Sequence, residues 1–451
     1  MKKLIFLKTI VLLISLSCII GALAAPVYAD KDPFPDVSKA DAVFLYNVNT
    51  DKLIWSKNLD KSIFTGSITK MMCGLTFCEL FSDRLDQSIT ITEEMIYGAE
   101  GAKIKLSAGD TLTYKDLLYG VICGGGNDAC HALAYACSGS VEAYVKLMND
   151  LAISWGLSNT LFTNPSGYDD ERMHTTAYDT LSLARRAINN ELYMEASSAL
   201  SYIIRVKESE KEIKLFNRNS LISSFYASGY QNKYAYGLIA GFTDLGHYTA
   251  ITYLTKGETS FICAVMGAAD SGSSTDILSY QYVNAISEYA FKNYQYKKVF
   301  EGNKYICSLK VGLALPEANE QYATVDCYSS DDVYAIISPA LSVDSDVIYG
   351  YYLHESKLNA PIRAGTVVGG IDIFCDGELI GSTKLIAGEN VSKNSILSSL
   401  SSMKEFFLGR FFVSSVIFSA VFLALYFVID IQRFKKSLKK HDVISKRKKA
   451  P

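Results

Sequence analysis

The chain has 451 residues, 49% hydrophobic and 20% charged, which is enough for two domains of ordinary size and too apolar for a disordered chain. Residues 1–29 hold three lysines and no acid, and 430–451 hold nine basic residues against two acidic, so a total of −3 leaves the body 30–429 at −13. An acidic body argues against nucleic acid as a partner; the five scattered histidines and the lack of paired-cysteine spacing argue against a metal site, and no cofactor is implied.

The N-terminus reads as a targeting segment. Lys2, Lys3 and Lys8 precede an apolar run from Ile10 to Leu23, and Val27-Tyr28-Ala29 fits a signal peptidase site. A signal peptide over 1–29 therefore leaves Asp30 as the first mature residue, followed by a short linker over 30–40. Cys18 lies within the apolar run, and no lipid anchor is read there.

Ala42–Tyr46 and Lys52–Lys57 read as strands around the turn Asn49-Thr50-Asp51. A loop then enters a helix at Gly66-Ser67-Ile68-Thr69-Lys70-Met71-Met72, with Met71, Met72, Leu75 and Leu80 expected to turn inward. Ser67 and Lys70 are three apart and share one helix face. A hydroxyl at a helix N-terminus feels the positive end of the dipole, and a neutral lysine one turn on can take its proton. That is the chemistry of a Ser-x-x-Lys nucleophile. The bland alternative is an N-cap serine beside a solvated lysine; the same spacing recurs at Ser401/Lys404, Ser437/Lys440 and Ser445/Lys448, where it carries no meaning.

A short strand at Ile89-Thr90-Ile91 and helices over Asp116–Cys123 and Asp128–Cys137 follow. Between the helices lies Gly124-Gly125-Gly126-Asn127, where Asn127 either caps the second helix or points its amide into a cleft; the loop lacks the lysine of a phosphate loop. Asn164-Pro165-Ser166-Gly167 is a turn, Thr176–Asn189 a helix and Ser201–Leu215 a hairpin. Tyr236–Thr243, Tyr248–Leu254 and Ser260–Met266 read as three antiparallel strands closed by a helix over Asp276–Tyr294. This is an α+β arrangement.

From Val299 the pattern becomes all-β: Tyr305–Val311, Ala323–Tyr328, Val347–Leu353, Thr366–Phe374 and Leu379–Leu385, with a hairpin turn at Asp376-Gly377. A serine-rich linker over 387–410 leads to Phe411–Ile429, 19 residues without a charge, read as a single C-terminal transmembrane helix. The basic tail 430–451 belongs on the cytoplasmic side, which puts the body outside the cell.

Nine cysteines follow the signal segment and cannot all pair. Most read as small apolar core residues; Cys130 and Cys137, seven apart, mark one buried helix face. A disulfide between two of Cys307, Cys327 and Cys375 stays open, and nothing sets an oligomeric state.

Residues 41–295 resemble the catalytic domain of the serine-type D-alanyl-D-alanine carboxypeptidases, the low-molecular-weight penicillin-binding proteins. The resemblance is carried by Ser67-Ile68-Thr69-Lys70-Met71-Met72, Asp116-Leu117-Leu118-Tyr119-Gly120, Gly126-Asn127-Asp128-Ala129, Thr175-Thr176-Ala177-Tyr178-Asp179 and Gly241-Phe242-Thr243-Asp244. Residues 297–386, with Ala360-Pro361-Ile362 and Gly365-Thr366-Val367-Val368-Gly369, are similar to that family's C-terminal β domain. The resemblance implies a β-lactamase/DD-peptidase-like fold, an antiparallel sheet flanked by helices. It also implies an acyl-enzyme on Ser67, with Lys70 and Asn127 as catalytic partners and Gly125, Gly241, Phe242 and Thr243 along the substrate. Peptidoglycan stem peptides and β-lactams are the implied partners, in a Gram-positive-type envelope.

The chain departs from the family at two of three motifs. The serine of Ser-x-Asn falls on Gly125, and the lysine and threonine of Lys-Thr-Gly fall on Ile239 and Ala240. The lost hydroxyl would relay a proton to the leaving amine; the lost lysine and threonine would hold the substrate carboxylate. A hydrogen bond to a charged group is worth about 1.5–3 kcal/mol, so the lost clamp costs roughly 10- to 100-fold. Losing the relay costs on the order of 100-fold or more. No cation lies between Lys256 and Lys292, and without a second lysine in the cleft Lys70 is expected to keep its proton. Two readings follow: a serine DD-peptidase with altered or weakened activity, or a degenerate homologue that binds or organises the cell envelope without turnover. A soluble β-lactamase has no use for the anchor and β module, and a tail of 22 residues is too short for a signalling domain.

Overall fold

The computed structural model describes residues 33–269, 277–316 and 320–447; the expected signal peptide at 1–29 and the mature start at Asp30 lie outside them. The chain divides into two units. One runs to Lys298 and takes in Tyr334–Val347; the other comprises Val299–Val333 and the residues from Ile348 onward.

In chain order the first unit has strands β1 (Ala40–Asn47), β2 (Lys52–Lys57), β3 (Ser88–Thr90), β4 (Thr111–Thr113), β5 (Ser201–Arg205), β6 (Glu212–Phe216), β7 (Ala235–Thr243), β8 (His247–Lys256), β9 (Thr259–Ala268) and β10 (Gln295–Phe300). Five of them form one antiparallel sheet in the order β2-β1-β9-β8-β7, with β7 on the edge. Residues along β1 alternate between two cores: Ala42, Phe44 and Tyr46 face one, Val43 and Leu45 the other. This is the period of two expected of a strand, and it shows the sheet buried on both faces.

On one face lies the helix Ile68–Leu80, in which every residue from Ile68 to Cys78 is buried. A helix apolar on all sides sits at the centre of its unit. Leu80, expected inside, is instead 41% exposed because the helix ends there. The helix Leu278–Asn293 covers the other face through Tyr280, Val283, Ile286 and Ala290. Two further helices, Val141–Ser154 and Glu191–Ser198, join the first core.

The second unit carries a six-stranded sheet. Its strands are β11 (Tyr305–Gly312), β12 (Thr324–Ser329), β14 (Val347–Leu353), β15 (Leu358–Asn359), β16 (Val367–Cys375) and β17 (Glu378–Ala387), ordered β14-β16-β17-β12-β11-β15; β13 (Val333–Ile337), which from Tyr334 on belongs to the first unit, pairs there with β10. Val325, Cys327, Ile371, Ile373 and Leu385 form its fully buried centre. Asp376 and Gly377, at φ 51° and 78°, make the two-residue turn joining β16 to β17. Cys307 and Cys327 face each other across β11 and β12, and no disulfide joins the described cysteines; all but Cys307 are buried.

The serine-rich stretch before the anchor is a helix, Ser395–Leu408, capped by Asn394 through the Leu397 N–H. Its many serines, with Leu400, Met403, Phe406 and Phe407 all exposed, explain why composition alone read as a linker. The helix Arg410–Arg447 follows, and its segment Arg410–Lys436 is long and apolar enough to cross a membrane, with none of it buried.

Candidate active site

Ser67 stands at the N-terminus of the central helix with φ −65°, ψ −15°, and its side chain makes no capping bond. The N-cap reading, in which the hydroxyl is spent on the helix, therefore does not apply. Lys70 lies one turn on, its N–H bonded to the Ser67 carbonyl at 3.1 Å. Both side chains are buried, at 7% and 8% exposure.

The Asn164–Gly167 turn braces this corner. Asn164 Oδ1 accepts from the N–H groups of Ser166 (3.1 Å) and Gly167 (2.8 Å). Gly167 has φ 76°, and a Cβ there would stand 1.9 Å from the Gly66 carbonyl oxygen, so only glycine permits the approach. The turn presents the Ser166 carbonyl to Lys70, whose Nζ donates to it at 2.6 Å.

Burial pushes the Lys70 amine below its ordinary range, since the charged form is the one that loses solvation; the nearby Arg218 guanidinium pushes the same way, against an opposing influence from Cys130 and Cys73. The expectation that Lys70 keeps its proton weighed the missing lysine at 239 and not this burial, which acts in the opposite direction. Desolvation is the first cause of the lowering, and Arg218 is the smallest influence, outweighed by those of Cys130 and Cys73. A neutral amine that donates one hydrogen to Ser166 keeps its lone pair for the Ser67 proton.

Strand β7 passes the serine on the other side. A Cβ at Gly241 would lie 2.2 Å from Ser67 Oγ, so strand and hydroxyl are in direct contact. Because β7 is an edge strand, its outer N–H and C=O groups are open to an extended ligand. Thr243 packs beside Gly66 instead, its Oγ1 accepting from the Gly246 N–H at 2.8 Å, and Phe242 is exposed against Tyr248. Ile239 and Ala240 are buried in the two opposite cores. At these positions the strand offers neither a cation nor a hydroxyl.

The third wall is the glycine loop. Gly126, not Asn127, is the N-cap of the helix Asn127–Ser138. Asn127 Nδ2 donates to the Glu100 carbonyl at 2.5 Å, while its Oδ1 is buried with no partner among the described residues. An orphaned buried acceptor is costly unless a ligand or a catalytic proton meets it. Asp128 locks the crossing strand of chain, accepting from Ile104 N at 2.9 Å and Leu106 N at 3.0 Å.

Two participants were not anticipated from the sequence. One is the Ser166 carbonyl. The other is Arg218, whose Nε donates to the Gly124 carbonyl at 3.2 Å and whose guanidinium lies 4.3 Å over the Tyr226 ring. Asn217 Nδ2 donates to Ser197 and Ala199 carbonyls, and Asn219 Nδ2 to the Gly237 carbonyl, so asparagines pin the backbone on both sides of the arginine. Asn217-Arg218-Asn219 directly after a strand was the available signal.

Residues 29–270 match the D-alanyl-D-alanine carboxypeptidase family model, and residues 294–393 match the penicillin-binding protein 5 C-terminal domain. The chain is 26% identical over 364 residues to D-alanyl-D-alanine carboxypeptidase DacF of Bacillus subtilis, covering 80% of this chain and 88% of that protein. It is 27% identical to DacC of Escherichia coli, over 78% of this chain and 84% of the relative. Among solved structures it resembles penicillin binding protein 5 from Haemophilus influenzae, with a TM-score of 0.57 at 24% identity over 80% of this chain and 99% of that one. The D-alanyl-D-alanine carboxypeptidase DacD from Francisella tularensis gives a TM-score of 0.59 at 23% identity, over 81% and 98%. With the larger part of its length matched by the first of these models, and a β domain matched by the second, the chain belongs to the D-alanyl-D-alanine carboxypeptidase family.

Proposed function

We propose that the protein is a membrane-anchored serine D-Ala-D-Ala carboxypeptidase that acylates Ser67 with peptidoglycan stem peptides and turns over slowly. The observation that carries this reading is the buried Ser67–Lys70 pair, with Lys70 driven toward its neutral form and Gly241 against the hydroxyl. Lys70 Nζ takes the Ser67 proton as Oγ attacks the penultimate D-alanine carbonyl. The N–H of Ser67 and one from the 241–243 strand receive the oxyanion. The C–N bond breaks, the terminal D-alanine leaves with a proton, and water later opens the ester.

The slow steps follow from Gly125, Ile239 and Ala240. No hydroxyl at 125 passes the proton to the leaving amine, and nothing at 239 or 240 holds the terminal carboxylate. Penicillins, which carry their leaving group within the acyl product, suffer less from the first loss. A second reading, a cleft that binds peptidoglycan without turnover, draws on the same three positions and on the burial of Ile239 and Ala240. In both readings the body lies outside the cell, held by the helix Arg410–Lys436 with Arg433, Lys435 and Lys436 at its end.

Release of D-alanine from a D-Ala-D-Ala peptide decides between the two. Slow release that rises at least about tenfold when Gly125→Ser, Ile239→Lys and Ala240→Thr are combined supports the peptidase. No release from the parent, with a folded triple variant equally inactive, removes it.

A further inference from the structure

Cys307 of β11 and Cys327 of β12 stand directly opposite each other on neighbouring antiparallel strands. Their side chains therefore leave the sheet on the same face. Residues so placed have Cα atoms roughly 4.5–5.5 Å apart, inside the roughly 4.4–6.8 Å that a disulfide accepts. Cys375 lacks this relationship: it ends β16 opposite Glu378, and β17 separates β16 from β12. The register thus singles out one pair among the described cysteines of the second unit. The cysteines of the first unit are buried in its two cores, away from any soluble oxidant.

The two thiols differ in access. Cys327 is fully buried, whereas Cys307 is half-buried and lies beside the exposed Tyr351. Burial holds both thiols above their ordinary range, Cys327 at about 12, so reaction is expected to quicken as pH rises. Cross-strand Cβ atoms lie roughly 4.5–5.5 Å apart and a disulfide prefers roughly 3.5–4.5 Å, so bridging draws the strands together by about 1 Å. The ladder is already interrupted between Tyr305 and Cys307, which leaves that end of β11 room to adjust. A bridge closed against such a mismatch is readily reduced again.

We infer that Cys307 and Cys327 are a reversible thiol–disulfide pair, oxidised by exchange with a low-molecular-weight disulfide in the proposed setting outside the cell. The Cys307 thiolate attacks one sulfur of the small disulfide and expels its first thiolate, which leaves a mixed disulfide on Cys307. Cys327 then gives up its proton and its thiolate attacks the Cys307 sulfur. The Cys307–Cys327 bond forms and the second small thiolate departs. The two cysteine protons pass to the departing thiolates, so two cysteines are oxidised and one small disulfide is reduced to two thiols. The bond ties β11 to β12 across about 20 residues of intervening chain, which restrains the unfolded state. Nothing in this exchange depends on Ser67.

The test exposes the full chain in detergent to glutathione disulfide under native conditions, blocks the remaining thiols after unfolding, and maps the peptides by mass. A linkage of Cys307 to Cys327 is expected, and dithiothreitol should remove it from the folded protein. Cys327→Ala should stop at glutathione on Cys307, and Cys307→Ala should leave Cys327 unmodified. Oxidation should raise the melting temperature of the parent by several degrees and leave that of Cys307→Ala unchanged. Unlinked thiols at both positions of the parent, glutathione retained on its Cys307, or linkage of either cysteine to a different partner overturns the inference. A Cys307–Cys327 linkage that leaves the melting temperature unmoved overturns the restraint assigned to it.

Discussion

Arg218 fills the space over Gly125. A Cβ built at 125 would lie 2.9 Å from Arg218 Cγ, and Gly125 has φ +65°, a conformation that L side chains adopt at a cost. The glycine that breaks the second motif and the arginine behind it are thus one packing solution. Gly125→Ser alone is expected to lower stability by about 1–2 kcal/mol and to shift the guanidinium. Thermal unfolding of Gly125→Ser beside Gly125→Ser with Arg218→Ala measures this, and the second change should relieve the contact part of the loss.

Arg218→Ala should also move the pH profile of acylation. Burial is the first cause of the lowered Lys70 pKa and Arg218 a lesser one, so removing the guanidinium raises that pKa without restoring an ordinary lysine. The ascending limb of the rate of penicillin adduct formation then shifts to higher pH, and the rate on that limb falls. An unmoved limb would mean that Arg218 exerts no electrostatic effect on Lys70.

The same burial makes a stability prediction. Folded Lys70 binds its proton less readily than unfolded lysine does, so unfolding takes up protons at pH values between the folded and unfolded pKa, and the stability of the parent rises with pH through that window. Lys70→Met has no such dependence. The difference in melting temperature, variant minus parent, should therefore fall as pH rises toward the ordinary lysine range, with acylation abolished throughout. A difference that stays flat with pH contradicts a depressed Lys70.

Gly241→Ala tests the contact between strand and serine. A methyl whose carbon starts 2.2 Å from Oγ must displace the hydroxyl or the strand. Adduct formation should drop by on the order of 100-fold while the protein stays folded, because a shift of this kind takes the nucleophile out of line. Near-parent rates would show the oxygen free to sit elsewhere.

Much of this fold was legible because its periods are clean. The apolar run Ala42–Tyr46 before the Asn49-Thr50-Asp51 turn and the β7–β8–β9 run marked the sheet, and Asp376-Gly377 marked a hairpin. The helix Val141–Ser154 was missed although Ser140 caps it through the Ala143 N–H and Tyr144, Val145, Met148 and Ala152 repeat along one face. Its polar face of Glu142, Lys146, Asn149 and Asp150 and the absence of a motif hid it. In the site, Ser67, Lys70, Asn127 and Gly241 could be named by spacing and resemblance. Arg218 and the Ser166 carbonyl could not, because they arrive from 151 and 99 positions away in the chain and only packing brings them in. The setting of Lys70 was hidden for the same reason: the sequence displays a missing lysine at 239 but not the burial that lowers the amine's pKa.

The most direct test of the central claim is the intact mass of the protein after exposure to a penicillin, beside Ser67→Ala. A stable gain of one penicillin in the parent and none in the variant is the expected result. A folded parent that gains no mass at saturating penicillin would contradict a live nucleophile at Ser67.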